Sequence, residues 1–243
     1  MTPFFKRLAS KFRRKVMTTF TFVQASEKDE EKVLEFLFAQ FAVSDPISKS
    51  IKLTKGDAIE LFCDYARLGT NKYSTLIYDD RERLAGICLC SMIEANTDDT
   101  LVKAQIDFEN HDCAEEIKNG PYKEHKANAI KVLADALEDS LLRIIGKHKK
   151  MLKIDILCIH KDYVGKGLGK ELVRRSVETA QAEGCEWVVT AAMATVSQNL
   201  FAKAGFRVLY EVPYANYREN GNQVFHDLYD GCITGKAMAI KLM

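Results

Sequence analysis

Residues Cys158–Ser176 read CIHKDYVGKGLGKELVRRS, an apolar strand-like patch followed by glycines 165, 167 and 169 and then a helix-forming run. Glycine at every second position leaves no β-carbon to block a close approach from outside. The first N–H groups of the following helix have no partner within it and sit at the positive end of its dipole. Together these features make an anion site, and phosphate is its usual guest. Spacing excludes two phosphate loops. A Walker loop ends in Gly-Lys-Ser/Thr, which occurs nowhere in the chain. A dinucleotide fingerprint needs a third glycine three residues after the second, a position held by Lys170. A merely flexible turn would also be glycine-rich, so support has to come from the rest of the chain.

The 243 residues are 47% apolar, enough for one sizeable core. Lys and Arg total 35 against 34 Asp and Glu, which excludes a global basic field for nucleic acid. No apolar run approaches the roughly 18–20 residues of a transmembrane segment. Seven cysteines lie dispersed without a CxxC pair, which reads as reduced intracellular thiols, with neither a disulfide framework nor a metal site expected. The first 16 residues, MTPFFKRLASKFRRKV, stand apart. They carry six Lys/Arg and no acid, with Phe4, Phe5, Leu8, Phe12 and Val16 at approximately helical spacing. This arm is a disordered basic tail, a mitochondrial presequence or a membrane-surface helix; the first reading leaves the protein cytoplasmic.

From Phe20 onward strands and helices alternate. FTFVQA predicts a strand, and Ser26 caps a helix carrying Val33, Leu34, Leu37 and Phe38. Pro46 breaks that helix at Asp45, and an amphipathic helix follows near 55–68. YSTLIYDD and LAGICLCSMIE read as two strands joined by a polar turn. Residues 94–125 are polar and give no clear pattern, whereas 126–147 form a long amphipathic helix. MLKIDILCIH leads into the glycine turn, EWVVTAAM is a central strand, and SQNLFAKAG is a short helix ended by Gly205. FRVLYEVPYANY and GKAMAIKLM form a final antiparallel pair separated by a polar insertion. The order β-α-α-β-β-α-β-α-β-α-β-β predicts a single α/β domain over residues 20–243.

That order, the glycine turn, and NLFAKAGFRVL about thirty residues later resemble the GNAT acyltransferases. Their acetyl-CoA loop reads Gln/Arg-x-x-Gly-x-Gly/Ala, which Val164-Gly165-Lys166-Gly167-Leu168-Gly169 matches except at its first residue. DPISKS, YKEHKANAIKVLADAL and EVPYANYRENGNQVFHDLYD…GKAMAIKLM narrow the likeness to the insect-type arylalkylamine (dopamine) N-acetyltransferases. The resemblance implies a mixed, mostly antiparallel sheet flanked by helices, acetyl-CoA as co-substrate, a small primary amine as acceptor and no metal. Asp45 falls where that family has a Glu before proline as catalytic base. Ser197 matches one of two serines and Met193 replaces the other. Val164 removes a side-chain donor, and Phe201 stands where other GNAT enzymes carry a tyrosine general acid.

An amine with a pKa near ~10 must lose its proton before it attacks a thioester. A carboxylate receiving that proton through water can do this. Asp45 suits the role, although Asp before Pro also often caps the next segment. A backbone N–H around Cys158-Ile159-His160 would polarise the thioester, with His160 as a second candidate base. Lys166, Lys170 and Lys203 are candidate phosphate contacts. Phe38, Phe41, Phe62 and Tyr65 either shape an arylalkyl pocket or serve as core. Three functions remain open at this point: an arylalkylamine N-acetyltransferase, a GNAT enzyme for polyamines, amino acids or protein amines, and a non-catalytic acyl-CoA-binding module.

Overall fold

The computed structural model describes residues 18–96 and 106–242. The basic arm at residues 1–16 lies outside the described residues. Strand β1 (Thr21–Gln24) leads to a capping box in which the Ser26 N–H donates to Asp29 Oδ2 at 2.9 Å. Helix α1 (Glu30–Phe36) then passes through a π-helical turn at Leu37–Phe41 into the short α2 (Ala42–Ser44). Such a turn holds one extra residue, and it is a feature often found beside functional sites. Asp45 is extended, as a residue before proline must be, and it opens α3 (Pro46–Ser50). Helix α4 (Lys55–Gly69) begins at a Thr54–Asp57 capping box and buries Ala58, Leu61, Phe62 and Ala66.

Strands β2 (Thr75–Tyr78) and β3 (Leu84–Asn96) form the expected hairpin. The stretch that showed no pattern contributes the short α5 (Ala114–Lys118) before α6 (His125–Ile145). Then follow β4 (His148–Ile159), α7 (Leu168–Ala182), β5 (Trp187–Ala192), α8 (Thr195–Lys203) and β6 (Arg207–Pro213). The polar insertion folds a two-residue ribbon of β7 (Arg218–Glu219) and β8 (Asn222–Gln223) before β9 (Thr234–Lys241).

The strands form one sheet in the order β1-β2-β3-β4-β5-β9-β6, with β4 and β5 parallel and every other pair antiparallel. The last strand inserts between β5 and β6. Two apolar clusters cover its faces. One gathers Val33, Leu61 and Leu133 from α1, α4 and α6; the other gathers Leu172 and Phe201 from α7 and α8. Leu172 is fully buried, so its truncation to Ala would cost about 2–5 kcal/mol. Among the described residues no helix is long and apolar enough to cross a membrane.

Two irregularities in β4 position the site. It pairs with β5 only from Met151 to Ile154, opposite Trp187 to Thr190, and beyond that point the two strands part. On its other edge, Ile156 faces Leu89 and Ile154 faces Cys90, which leaves Asp155 as the extra residue of a bulge. The bulge reverses the in–out alternation. Leu152 and Ile154 pack toward α7, whereas Ile156 and Cys158 pack toward α1 and α6.

Candidate active site

The parting of β4 and β5 opens a cavity of about 720 Å³, within the usual range for a small-molecule site. One wall belongs to the glycine turn. Gly165 and Gly167 have φ of +81° and +80°, a region costly for any residue with a side chain, and a β-carbon on either would meet nothing within 4 Å. Gly169 is less constrained, since a β-carbon there would lie 3.4 Å from Leu200 Cδ2, about van der Waals contact. Helix α7 takes Gly167 as its N-cap without a side-chain cap, and its first backbone bond runs from the Glu171 N–H to the Gly167 carbonyl at 3.1 Å. The N–H groups of Leu168, Gly169 and Lys170 therefore remain available to an anion. Leu168 itself is core and offers the site only its backbone.

The turn is anchored from behind. Tyr163 donates its phenol proton to Asp79 Oδ2 at 2.5 Å, and Arg83 donates to the same carboxylate through Nε at 2.8 Å. Gln40 accepts from the Lys161 N–H at 3.2 Å, which ties the π-helical turn to the approach of the glycine loop.

The other wall carries the carboxylates. Asp45 lines the cavity and also caps α3, because its Oδ2 accepts from the Ser48 N–H at 2.8 Å and the Ser48 hydroxyl at 2.6 Å. Capping and cleft exposure are thus properties of one side chain. Burial raises its pKa above the ordinary carboxylate value and Asp230 adds to the rise, while the Ser48 bonds act in the opposite direction. Asp230 lines the same cavity; its two oxygens accept from the Thr195 N–H at 2.8 Å and the Cys232 N–H at 3.1 Å. Tyr229 donates to the Ser44 carbonyl, and its ring lies 4.4 Å from Lys49 Nζ. The 229–230 segment is fastened to the α2–α3 corner by these contacts. Sequence reasoning singled out neither Asp230 nor Tyr229, although both close the HDLYD end of a stretch that carries the family resemblance.

Phe41, Phe62 and Tyr65 supply an aromatic lining, while Phe38 packs behind Phe62 at 5.1 Å between ring centres. On the α6 and β4 side of the cavity, Lys153 bridges Glu138 at 2.7 Å and the bulged Asp155 at 2.9 Å, and Lys131 pairs with Asp135. Burial alone would lower the Lys153 pKa, but Asp155 and Glu138 outweigh it and keep the ammonium charged.

Several candidates sit elsewhere than expected. The His160 N–H donates to the Ala85 carbonyl at 2.9 Å, so it faces β3 and not the cavity. Its ring accepts from the Asp162 N–H at 3.2 Å and lies beside Tyr163, outside the cavity lining. Alternation along an antiparallel ladder then turns the N–H of Ile159 to the open edge. Cys158 lines the cavity, and burial pushes its thiol up to about 12. Lys166 folds over the rings of Phe20 and Tyr163, at 5.4 and 4.9 Å, and takes no part in the lining. Lys203 is exposed and also off the cavity, whereas Lys170 lines it, as does Lys161, which the sequence reading had not singled out. Val164 is 69% exposed at the mouth. Ser197 does line the cavity, from the first turn of α8, with its hydroxyl donating to the Ala194 carbonyl at 2.9 Å and accepting from the Ala194 N–H at 3.3 Å. Phe201 is buried against Phe206 and has no proton to give.

Residues 133–206, from α6 to just past α8, match the acetyltransferase (GNAT) family. The matched stretch of this chain holds the glycine turn and α7. The fold of the chain is shared with arylalkylamine N-acetyltransferase 2 from Aedes aegypti, at a TM-score of 0.70 and 24% identity over 93% of this chain and 100% of that one. A mosquito arylalkylamine N-acetyltransferase like 5b gives 0.71 and 17% over 92% and 100%. Drosophila melanogaster polyamine N-acetyltransferase, which catalyses formation of N-acetylagmatine, gives 0.69 and 16% over 92% and 100%. The single-domain, mostly antiparallel architecture expected from the sequence is therefore the one observed, and these proteins share it.

Proposed function

We propose that this domain transfers the acetyl group of acetyl-CoA to a small primary amine, with an arylalkylamine as the acceptor the cavity fits best. The observation that carries the proposal is that one cavity joins the glycine cradle of α7 to the Asp45 and Asp230 carboxylates along the open edge of β4. The cradle fits a pyrophosphate, since it offers unpaired N–H groups and a surface free of β-carbons at Gly165 and Gly167. Acetyl-CoA supplies the acyl group already activated as a thioester. The Ile159 N–H, on the open edge, is placed to polarise a carbonyl there. Asp45 and Asp230 attract the ammonium, and Asp45 takes its proton through water as nitrogen attacks and sulfur departs. Coenzyme A leaves as a thiolate, which needs little protonation, so Phe201 is no obstacle. Cys158, with its thiol near 12, stays protonated and is a poor acyl carrier, which favours direct transfer.

The aromatic lining of Phe41, Phe62 and Tyr65 favours an arylalkyl body. A polyamine is the second reading, favoured by Asp135, Glu138 and Asp155 outnumbering Lys131 and Lys153 on the α6 and β4 side. Thiol release from acetyl-CoA, measured across a panel of arylalkylamines and polyamines, tests both. Turnover with an arylalkylamine at least ~10-fold above any polyamine is expected. Release with no amine in the panel would leave an acyl-CoA-binding module.

A further inference from the structure

Away from the cleft, His111, Cys113 and Glu116 bring an imidazole nitrogen, a thiol sulfur and a carboxylate oxygen within 4.8 Å of one another. Cys113 is fully buried at the start of α5, and Glu116 lies one turn on. The backbone that carries them is fixed from outside. The Cys113 N–H donates to the Arg218 carbonyl at 2.8 Å, and Asp112 accepts from the N–H groups of Asn220 and Gly221 at 2.9 and 2.7 Å. Glu116 Oε1 lies 2.7 Å from His111 Nε2, but its Oε2 is buried without a hydrogen-bond partner among the described residues. The Glu116 side chain is 37% exposed as a whole, so it is this one oxygen, turned inward, that lacks a partner.

We propose that His111, Cys113 and Glu116 bind a divalent ion of the zinc class, with solvent in the fourth position. Imidazole, thiolate and carboxylate together form a donor set that zinc accepts and that calcium or magnesium does not. At metal–donor lengths of about 2.0–2.3 Å, tetrahedral donors lie roughly 3.3–3.8 Å apart. Rotamer changes of about an ångström therefore suffice to form the site on this backbone. The Cys113 proton leaves to solvent as sulfur binds. The ion would fasten α5 beside the β7–β8 ribbon and would take no part in acyl transfer.

The test uses the full chain stripped of metal with a chelator and titrated with Co²⁺, then with Zn²⁺. A thiolate-to-cobalt charge-transfer band saturating at about one equivalent, and bleached by Zn²⁺, is the expected result. Zn²⁺ should also raise the melting temperature by mass action. Cys113→Val, which keeps an apolar side chain in a buried position, should lose the band and the shift, and Glu116→Gln should weaken Co²⁺ binding ~10-fold or more. No charge-transfer band in the wild-type protein, or an equal band in Cys113→Val, would overturn the proposal. Should Cys113→Val fail to fold, the wild-type titration decides alone. Neither readout depends on acetyl transfer.

Discussion

The two walls of the cleft are made of different materials. The wall at the start of α7 is backbone, consisting of two glycines at positive φ and a row of unpaired N–H groups. The wall at the α2–α3 corner is side chain, consisting of Asp45 held by Ser48, Asp230 held by Thr195 and Cys232, and Tyr229 on Ser44. A backbone wall tolerates change at Lys166, whose side chain takes no part in the lining. A side-chain wall concentrates its chemistry in one or two carboxylates, and losing a proton acceptor there should stop the reaction without loosening the co-substrate.

Gly167→Val strikes the backbone wall hardest. It places a branched side chain at φ +80° and in the space open to phosphate. Coenzyme A should raise the melting temperature of the wild-type domain and leave this variant unmoved, corresponding to a loss of about 100-fold or more in affinity. An equal shift in both proteins would remove the loop from the site.

Asp230→Asn sharpens the other side. Asp230 helps raise the Asp45 pKa, and Asp45 in the proposed role of base would work only when ionised. Activity should therefore fall as pH drops through that raised value. Removing the Asp230 charge lowers the Asp45 pKa, so the acid limb of kcat/KM should move to lower pH. A limb that stays in place would show that the titrating base is another group.

Ser197→Ala has the smallest expected effect. Its hydroxyl closes the first turn of α8 on Ala194, so stability should fall by about 0.5–1 kcal/mol while kcat changes less than ~3-fold. A 100-fold fall in kcat would return Ser197 to the chemistry.

The same division decides what the sequence could reveal. The glycine wall was legible because local spacing alone creates it, and the order of strands and helices followed from hydrophobic period. The bulge at Asp155 was not legible, since no glycine or proline marks it and only pairing with β3 exposes it. That one residue reverses which β4 side chains face the acceptor. His160 was misplaced by a related error, because its N–H direction depends on the ladder with Ala85. Asp230 lies 185 residues from Asp45 in the chain, and only the return of the polar insertion across the cleft brings both into one cavity. Asp45 was found only through a family likeness, which could not separate base from cap. The structure assigns the cap to one oxygen while the side chain still lines the cleft.

Asp45→Asn separates the two walls most directly. Asparagine caps a helix about as well as aspartate, so α3 should survive while the base is lost. Both coenzyme A affinity and turnover would be measured on this variant at neutral pH. The account predicts affinity within ~2-fold of wild type and turnover lower by ~10²–10⁴-fold, partly recovered at higher pH, where free amine is supplied from solution. Wild-type turnover in Asp45→Asn, or a parallel loss of coenzyme A binding, would contradict it.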